Sequence, residues 1–213
     1  MNWQITHTLN YIQKHGALSA VQHVYGDAIK ITFNDGSDEL TVISASYEIT
    51  IDLANKYHEE YPDMAFLCGY RKECIWTGDA INYLENNQIG WGSAGTLNSA
   101  ISKNDLRTAA HKDFFFSFRL ITQMRCITNI VREFDRVFTI TLADGRQLRI
   151  GMIKEYEPTA DVVRTFWDKF GPIDILWNIN PNGGPTPNAI EAGEQLGCEV
   201  MKWVEVRSLI QNR

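Results

Sequence analysis

Ile29-Lys30-Ile31-Thr32-Phe33-Asn34-Asp35-Gly36, with Leu40-Thr41-Val42-Ile43 behind it, is met again as Phe138-Thr139-Ile140-Thr141-Leu142-Ala143-Asp144-Gly145, followed by Leu148-Arg149-Ile150. An Asp-Gly pair between β-rich runs marks a hairpin, because glycine takes positive φ without steric cost. The two signals lie 109 residues apart, and the offset persists. Tyr47-Glu48 falls on Tyr156-Glu157, Thr50 on Thr159, Asp52 on Asp161, Thr77 on Thr186, Ala80-Ile81 on Ala189-Ile190, and Ser99 and Ile101 on Ser208 and Ile210. Across residues 31–101 about fifteen positions are identical without a gap. A constant offset through successive elements reads as a tandem duplication, with one copy over residues 1–104 and the other over 105–213.

Each copy reads as an α-β-hairpin-α-β-α-β-α unit, a mixed sheet covered by helices, in the α/β class. The first helix is expected near 3–15 and again near 112–133, and the second near 50–61 and 159–170. Thr50 and Asp52, like Thr159 and Asp161, suit a helix start, where backbone donors lack partners. A buried strand is expected at Met64–Cys68 and at Ile173–Ile179. A short strand is expected at Cys198–Trp203, with a fainter counterpart at Ile89–Trp91. The strand–helix–strand crossover implies parallel pairing. Two such copies are expected to pack about a pseudo-twofold axis. In the helix expected at 112–133, Phe116, Leu120, Met124, Ile127, Val131 and Phe134 form the core stripe. Phe114 and Phe118 are expected to pack against the first copy.

The chain has 213 residues and a net charge of −6. That balance argues against a general nucleic-acid binder, which needs a basic surface. It hides an asymmetry: residues 1–104 carry 6 basic and 12 acidic groups, whereas 105–213 carry 14 of each and ten of the eleven arginines. The start, Met1-Asn2-Trp3-Gln4-Ile5, has neither a basic nor a long apolar run, and no stretch approaches the roughly 18 apolar residues of a membrane helix. A soluble, cytoplasmic protein with reduced cysteines and no membrane contact is therefore expected.

Two strand-to-helix loops attract attention, because ligands of open α/β sheets bind beyond the carboxyl ends of parallel strands. In the second copy the loop is Asn178-Ile179-Asn180-Pro181-Asn182-Gly183-Gly184-Pro185-Thr186-Pro187. Asn180, Asn182 and Thr186 are its candidate polar contacts. It matches neither the Walker pattern nor GxGxxG, so no cofactor is expected. Turn chemistry, with Thr186 or Asn188 as a helix cap, also accounts for every residue type in it. The first copy has Gly69-Tyr70-Arg71-Lys72-Glu73-Cys74-Ile75-Trp76-Thr77-Gly78 instead. Tyr70, Arg71, Lys72 and Trp76 are suited to stacking on a ring, gripping a phosphate or anchoring a protein.

Other chemistry is fainter. A nuclease-like arrangement would draw on Asp63, Asp174, Glu199 and Lys202, but Glu199 and Lys202 are three apart and face opposite sides of a strand. The histidines lack ligand spacing, and Gly16 interrupts a helix that would join His15 to His23. The recurring Tyr-Glu pair admits a duplicated site or a tyrosine packed under the following helix. From Arg107 to Arg149 there are eight basic and four acidic groups. Arg125 and Arg132, taken as one helix face, with Arg146 and Arg149 near the hairpin, offer nucleic acid a basic patch. A solvated helix face beside the acidic copy explains them as well. The reading that follows is a binding protein that uses the cleft between its copies to recognise a protein or a small anionic ligand. The alternative is a metal-dependent hydrolase acting on nucleotides or nucleic acid. The two part on whether carboxylates converge with a lysine or histidine in one pocket.

Overall fold

The computed structural model describes residues 2–15 and 20–212; Gly16 lies outside them. The chain divides into two compact units, Met1–Lys112 and Asp113–Arg213.

The first unit contains α1 (Trp3–His15), β1 (Ala20–His23), β2 (Ala28–Thr32), β3 (Asp38–Ser44), β4 (Glu48–Ile49), α2 (Ile51–Glu60), β5 (Met64–Gly69), β6 (Ile75–Trp76), α3 (Gly78–Asn86), β7 (Gly90–Ser93) and α4 (Ala94–Lys103). Its main sheet has the order β1-β2-β3-β5-β7. The first three strands are antiparallel, and β3, β5 and β7 run parallel. All six residues of β5 are buried, as a central strand covered on both faces requires. On one face Ile5, Leu9 and Ile12 of α1 meet Ile29, Ile31, Phe66 and Cys68, closed by Leu97 and Ile101 of α4. On the other, Ala54 of α2 and Ile81 and Leu84 of α3 cover Val42, Leu67 and Trp91. Each fully buried Ile or Leu contributes about 1.5–3 kcal/mol relative to exposure. Thr50 starts α2 by accepting the Leu53 amide, as its sequence position implies.

Residues 105–111 pack with this first unit. Leu106 lies in its core, the Ala109 carbonyl accepts the Trp91 amide at 2.9 Å, and Arg107 forks onto the Glu39 carboxylate at 2.8 and 3.1 Å.

The second unit contains α5 (Lys112–Thr122), β8 (Ile127–Phe134), β9 (Val137–Leu142), β10 (Gln147–Ile153), α6 (Ala160–Phe170), β11 (Ile175–Asn178), α7 (Pro187–Leu196), β12 (Glu199–Met201) and α8 (Trp203–Asn212). Its sheet order is β12-β11-β10-β9-β8, antiparallel through β8, β9 and β10 and parallel through β10, β11 and β12. Phe114 and Ile121 of α5 and Val206 and Ile210 of α8 cover Phe138, Ile140, Met152 and Trp177. Among the described residues, no helix is long and apolar enough to cross a membrane.

The long helix expected at 112–133 is not formed. α5 ends at Thr122, and Ile127–Phe134 becomes an edge strand instead. The β-branched Ile127, Thr128, Ile130 and Val131 favour that state, and pairing with β9 satisfies their backbone. The helical stripe therefore ran across a turn. Phe116 is 64% exposed and Val131 52% exposed, while the buried face of α5 is Phe114, Ser117 and Ile121. Within the second unit Phe114 joins the core, and Phe118 meets Phe138 edge-on at 5.5 Å. A further strand, β1, precedes the first hairpin, as β8 precedes the second; neither was anticipated.

Candidate functional site

In the first unit, the carboxyl ends of β3, β5 and β7 lie on one side of the sheet, and two loops there are stapled together. The Ser44 carbonyl accepts the Tyr70 amide at 3.0 Å, and the Tyr47 carbonyl accepts the Ile75 amide at 3.0 Å. Ser46 holds the turn by donating its hydroxyl to the Glu48 carbonyl at 2.6 Å. This frame fixes the candidate side chains.

Arg71 donates Nε to the Ala45 carbonyl at 3.1 Å, and its guanidinium sits 4.9 Å over the Tyr47 ring. A cation over a ring face is attracted by the ring quadrupole, so each group orders the other. Tyr47 remains 61% exposed, so the recurring tyrosine is not packed under the following helix. The Tyr70 hydroxyl lies 2.8 Å from His7 Nδ1. Trp3, at the start of α1, meets Tyr70 edge-on at 5.6 Å and stays 64% exposed. Burial pushes the Tyr70 phenol above its ordinary value, with the buried Cys68 adding and Arg71 opposing, so its hydroxyl stays protonated. Lys72 is exposed and has no partner among the described residues. Trp76 differs from expectation: it is 1% exposed and packs against Trp91 at 5.3 Å. Its position on β6, paired with β4, turns the indole inward, so it offers no stacking surface. Trp3 and His7 were missed because they lie far from the loop in sequence; their spacing of four on a helix is the signal that joins them.

The glycine-rich loop of the second unit is satisfied internally. The buried Asn178 amide donates to the Glu155 carbonyl at 2.9 Å, and Asn180 Oδ1 accepts the Asn182 amide at 3.0 Å. Gly183 is obligatory, since a Cβ there would stand 2.1 Å from the Tyr156 carbonyl oxygen. Thr186 caps α7, accepting the Ala189 amide at 3.2 Å and donating to the Pro158 carbonyl at 2.8 Å. The side chains of Asn180 and Thr186 thus serve turn geometry, and Asn182 takes part through its backbone amide. Thr186→Ala is expected to cost about 1 kcal/mol, read as a lower urea midpoint at unchanged slope. An unchanged midpoint would show that the cap carries no weight.

Asp174 and Glu199 stand side by side at the amino ends of β11 and β12, the Glu199 amide donating to the Asp174 carbonyl at 2.9 Å. That is the sheet edge opposite the one where α/β ligands bind. Lys202 follows the other end of β12 and donates Nζ to the Pro181 carbonyl at 3.3 Å. Asp63 belongs to the first unit, before β5. Among the described residues, no three His, Cys, Asp or Glu side chains converge as a metal site.

The four arginines of the expected basic patch have separate settings. Arg125 lies in the turn after α5 and Arg132 on β8, so they share no helix face. Arg132 lies 3.9 Å over the Phe118 ring, on the α5 side of the sheet. Arg149 points to the α6 side, where it binds the Glu133 carboxylate through Nε and Nη2 at 2.7–3.0 Å and donates Nη1 to the Phe170 and Pro172 carbonyls at 2.8 and 2.6 Å. Arg146 pairs with Asp144 at the hairpin tip. Arg132 and Arg149 therefore lie on opposite faces, and the Arg149 charge is already matched.

Cys68, Cys74, Cys126 and Cys198 form no disulfide; Cys68, Cys74 and Cys198 are buried, and Cys126 is half-buried. Burial pushes Cys68 strongly up and Cys198 up to about 12, so neither is a thiolate at neutral pH. Compared with protein-family profiles, curated proteins and solved structures, the chain matches none of them.

Proposed function

We propose that the chain is a duplicated α/β binding protein, and that the first unit recognises a protein segment through Trp3, Tyr47, Tyr70, Arg71 and Lys72 at the carboxyl ends of its parallel strands. The observation that carries the reading is two large exposed rings held in place by neighbours, one by a cation and one by another ring. Tyr47 is 61% exposed under the Arg71 guanidinium, and Trp3 is 64% exposed against Tyr70. Trp, Tyr and Arg are the residue types that dominate binding energy at protein interfaces. Rings held by neighbours lose little freedom on binding, which lowers the cost of association. Arg71 and the unpartnered Lys72 favour an acidic partner segment.

Duplication is supported by hydrogen bonds that recur at the 109-residue offset. Tyr70 N to Ser44 O at 3.0 Å corresponds to Ile179 N to Ile153 O at 2.8 Å. Ile75 N to Tyr47 O at 3.0 Å corresponds to Gly184 N to Tyr156 O at 2.9 Å. Ile43 N to Asp27 O at 2.9 Å corresponds to Met152 N to Arg136 O at 2.8 Å. Both sheets also share one strand order. On this reading the frame and the exposed tyrosine (Tyr47, Tyr156) were retained and the other side chains diverged, with Trp3, Tyr70, Arg71 and Lys72 present in the first copy only.

Selection from a displayed library of random peptides tests the proposal. The wild-type protein is expected to enrich peptides rich in acidic and apolar residues. The Trp3→Ala/Tyr47→Ala/Arg71→Glu variant, folded by circular dichroism, is expected to enrich none of them. Recovery of the same peptides by both proteins would refute it.

A further inference from the structure

A cavity of about 580 Å³ lies in the second unit, between the end of α5, the turn after it, and α8. Arg125 and Arg207 line it together with Gln123, Gln211, Leu120 and Trp203, and no carboxylate is among the lining residues. Trp203, Arg207 and Gln211 are four apart along α8, so they stand on one stripe of that helix facing the cavity. Neither arginine has an ion pair or hydrogen bond among the described residues, in contrast to Arg136, Arg146 and Arg149 of the same unit. Two exposed guanidiniums without counter-charge, one from the turn after α5 and one from α8, line the same cavity, and an anion placed there is attracted by both. Their planar forks match the oxygens of a phosphate, and the two glutamine amides add donors. Trp203 stacks on the buried Trp177 at 4.8 Å and 27°, so the ring at the cavity wall is held rigidly. The inner ring of that stack has an indole N–H with no acceptor among the described residues. The volume falls in the range of small-ligand sites, about 300–1,000 Å³.

We infer that this cavity binds a phosphomonoester attached to a flat ring, the class of a nucleoside monophosphate. Arg125 and Arg207 grip the phosphate, and Trp203 and Leu120 contact the ring. The assignment is independent of the face proposed for the first unit, because every lining residue belongs to the second.

Cys126 provides the readout. It also lines the cavity, and it is the half-buried thiol, whereas the other three are buried. The rate at which a thiol reagent modifies Cys126 in the folded full chain is measured with adenosine monophosphate, with adenosine, and with inorganic phosphate. At about ten times its Kd, the nucleotide is expected to slow modification about tenfold, since about a tenth of the sites remain open. Adenosine and inorganic phosphate at the same concentration are expected to slow it less. In the Arg125→Ala/Arg207→Ala protein the protection by nucleotide is expected to vanish. Should that protein fail to fold, Gln211→Glu, which sets a carboxylate on the same wall, is expected to abolish protection likewise. Absence of protection by the nucleotide, equal protection by inorganic phosphate alone, or protection that survives both variants overturns the inference.

Discussion

Gly90→Ala is expected to cost about 3 kcal/mol of stability or more. A Cβ at this position would stand 1.8 Å from the Leu106 carbonyl oxygen, 3.0 Å from that of Ala109, and 2.8 Å from the Phe66 ring. Two of these neighbours are backbone, which cannot swing away as a side chain can. To make room, residues 106–109 must lift off β7, taking with them the bond from the Trp91 amide to the Ala109 carbonyl. Against a typical total of 5–15 kcal/mol, such a loss removes a large part of the protein's stability. Chemical denaturation followed by tryptophan fluorescence checks it. A cost below about 0.5 kcal/mol, the range of an ordinary surface change, would show that residues 105–111 do not pack on the first unit.

Arg149→Met is expected to cost about 2–3 kcal/mol. Arg149 binds Glu133 through two nitrogens and donates a third to two carbonyls at the end of α6. Its removal leaves the Glu133 carboxylate with the Thr139 hydroxyl as its remaining side-chain donor, and takes the Arg149 donor from the Phe170 and Pro172 carbonyls. The figure is set below that of a fully buried pair because the side chains keep 23% and 28% exposure, where water compensates in part. The effect depends on pH in a defined direction. Desolvation raises the Glu133 carboxyl, but hydrogen bonds from Arg149 and Thr139 and the Arg149 charge outweigh it, holding the group below its ordinary value of 4.5. A carboxylate with a depressed folded-state pKa contributes stability above its unfolded-state value and loses that contribution as pH falls through the folded-state one. The gap between wild type and Arg149→Met is therefore full at neutral pH and narrows below about pH 4.5. A gap that stays constant from pH 7 to about pH 3, well below the ordinary carboxylate value, would show that Glu133 is not the partner that matters.

The parts of the fold readable from sequence are those with strong local chemistry. Asp35-Gly36 and Asp144-Gly145 announced their hairpins because few residues but glycine take φ of +85° and +87°. The cap at Thr50 followed from residue type, as did the buried strand at Met64. The strand at Ile127–Phe134 was hidden because apolar residues three and four apart satisfy a helical period while the same segment is rich in β-branched residues. Local pattern does not arbitrate there; pairing with β9 does. The proposed face was legible in part. Tyr70, Arg71 and Lys72 are near the surface, and their residue types are enough to suggest it. Trp76 lies only a few residues beyond Lys72, but the short β4–β6 pairing turns it inward, and such pairing leaves little trace in sequence. Trp3 and His7 enter through a contact more than sixty residues long. Arg149 read as a surface cation, because the Glu133 that neutralises it is two strands away.

The most direct test of the proposed recognition face is a chemical-shift map. Isotope-labelled full-length protein is titrated with a peptide selected on it. The account predicts that the largest shifts fall on Trp3, His7, Tyr47, Tyr70, Arg71 and Lys72, and that Trp3→Ala/Tyr47→Ala weakens the peptide about 30-fold or more, as loss of an interface hot spot does. Shifts confined to other residues, with affinity unchanged by those substitutions, would contradict it.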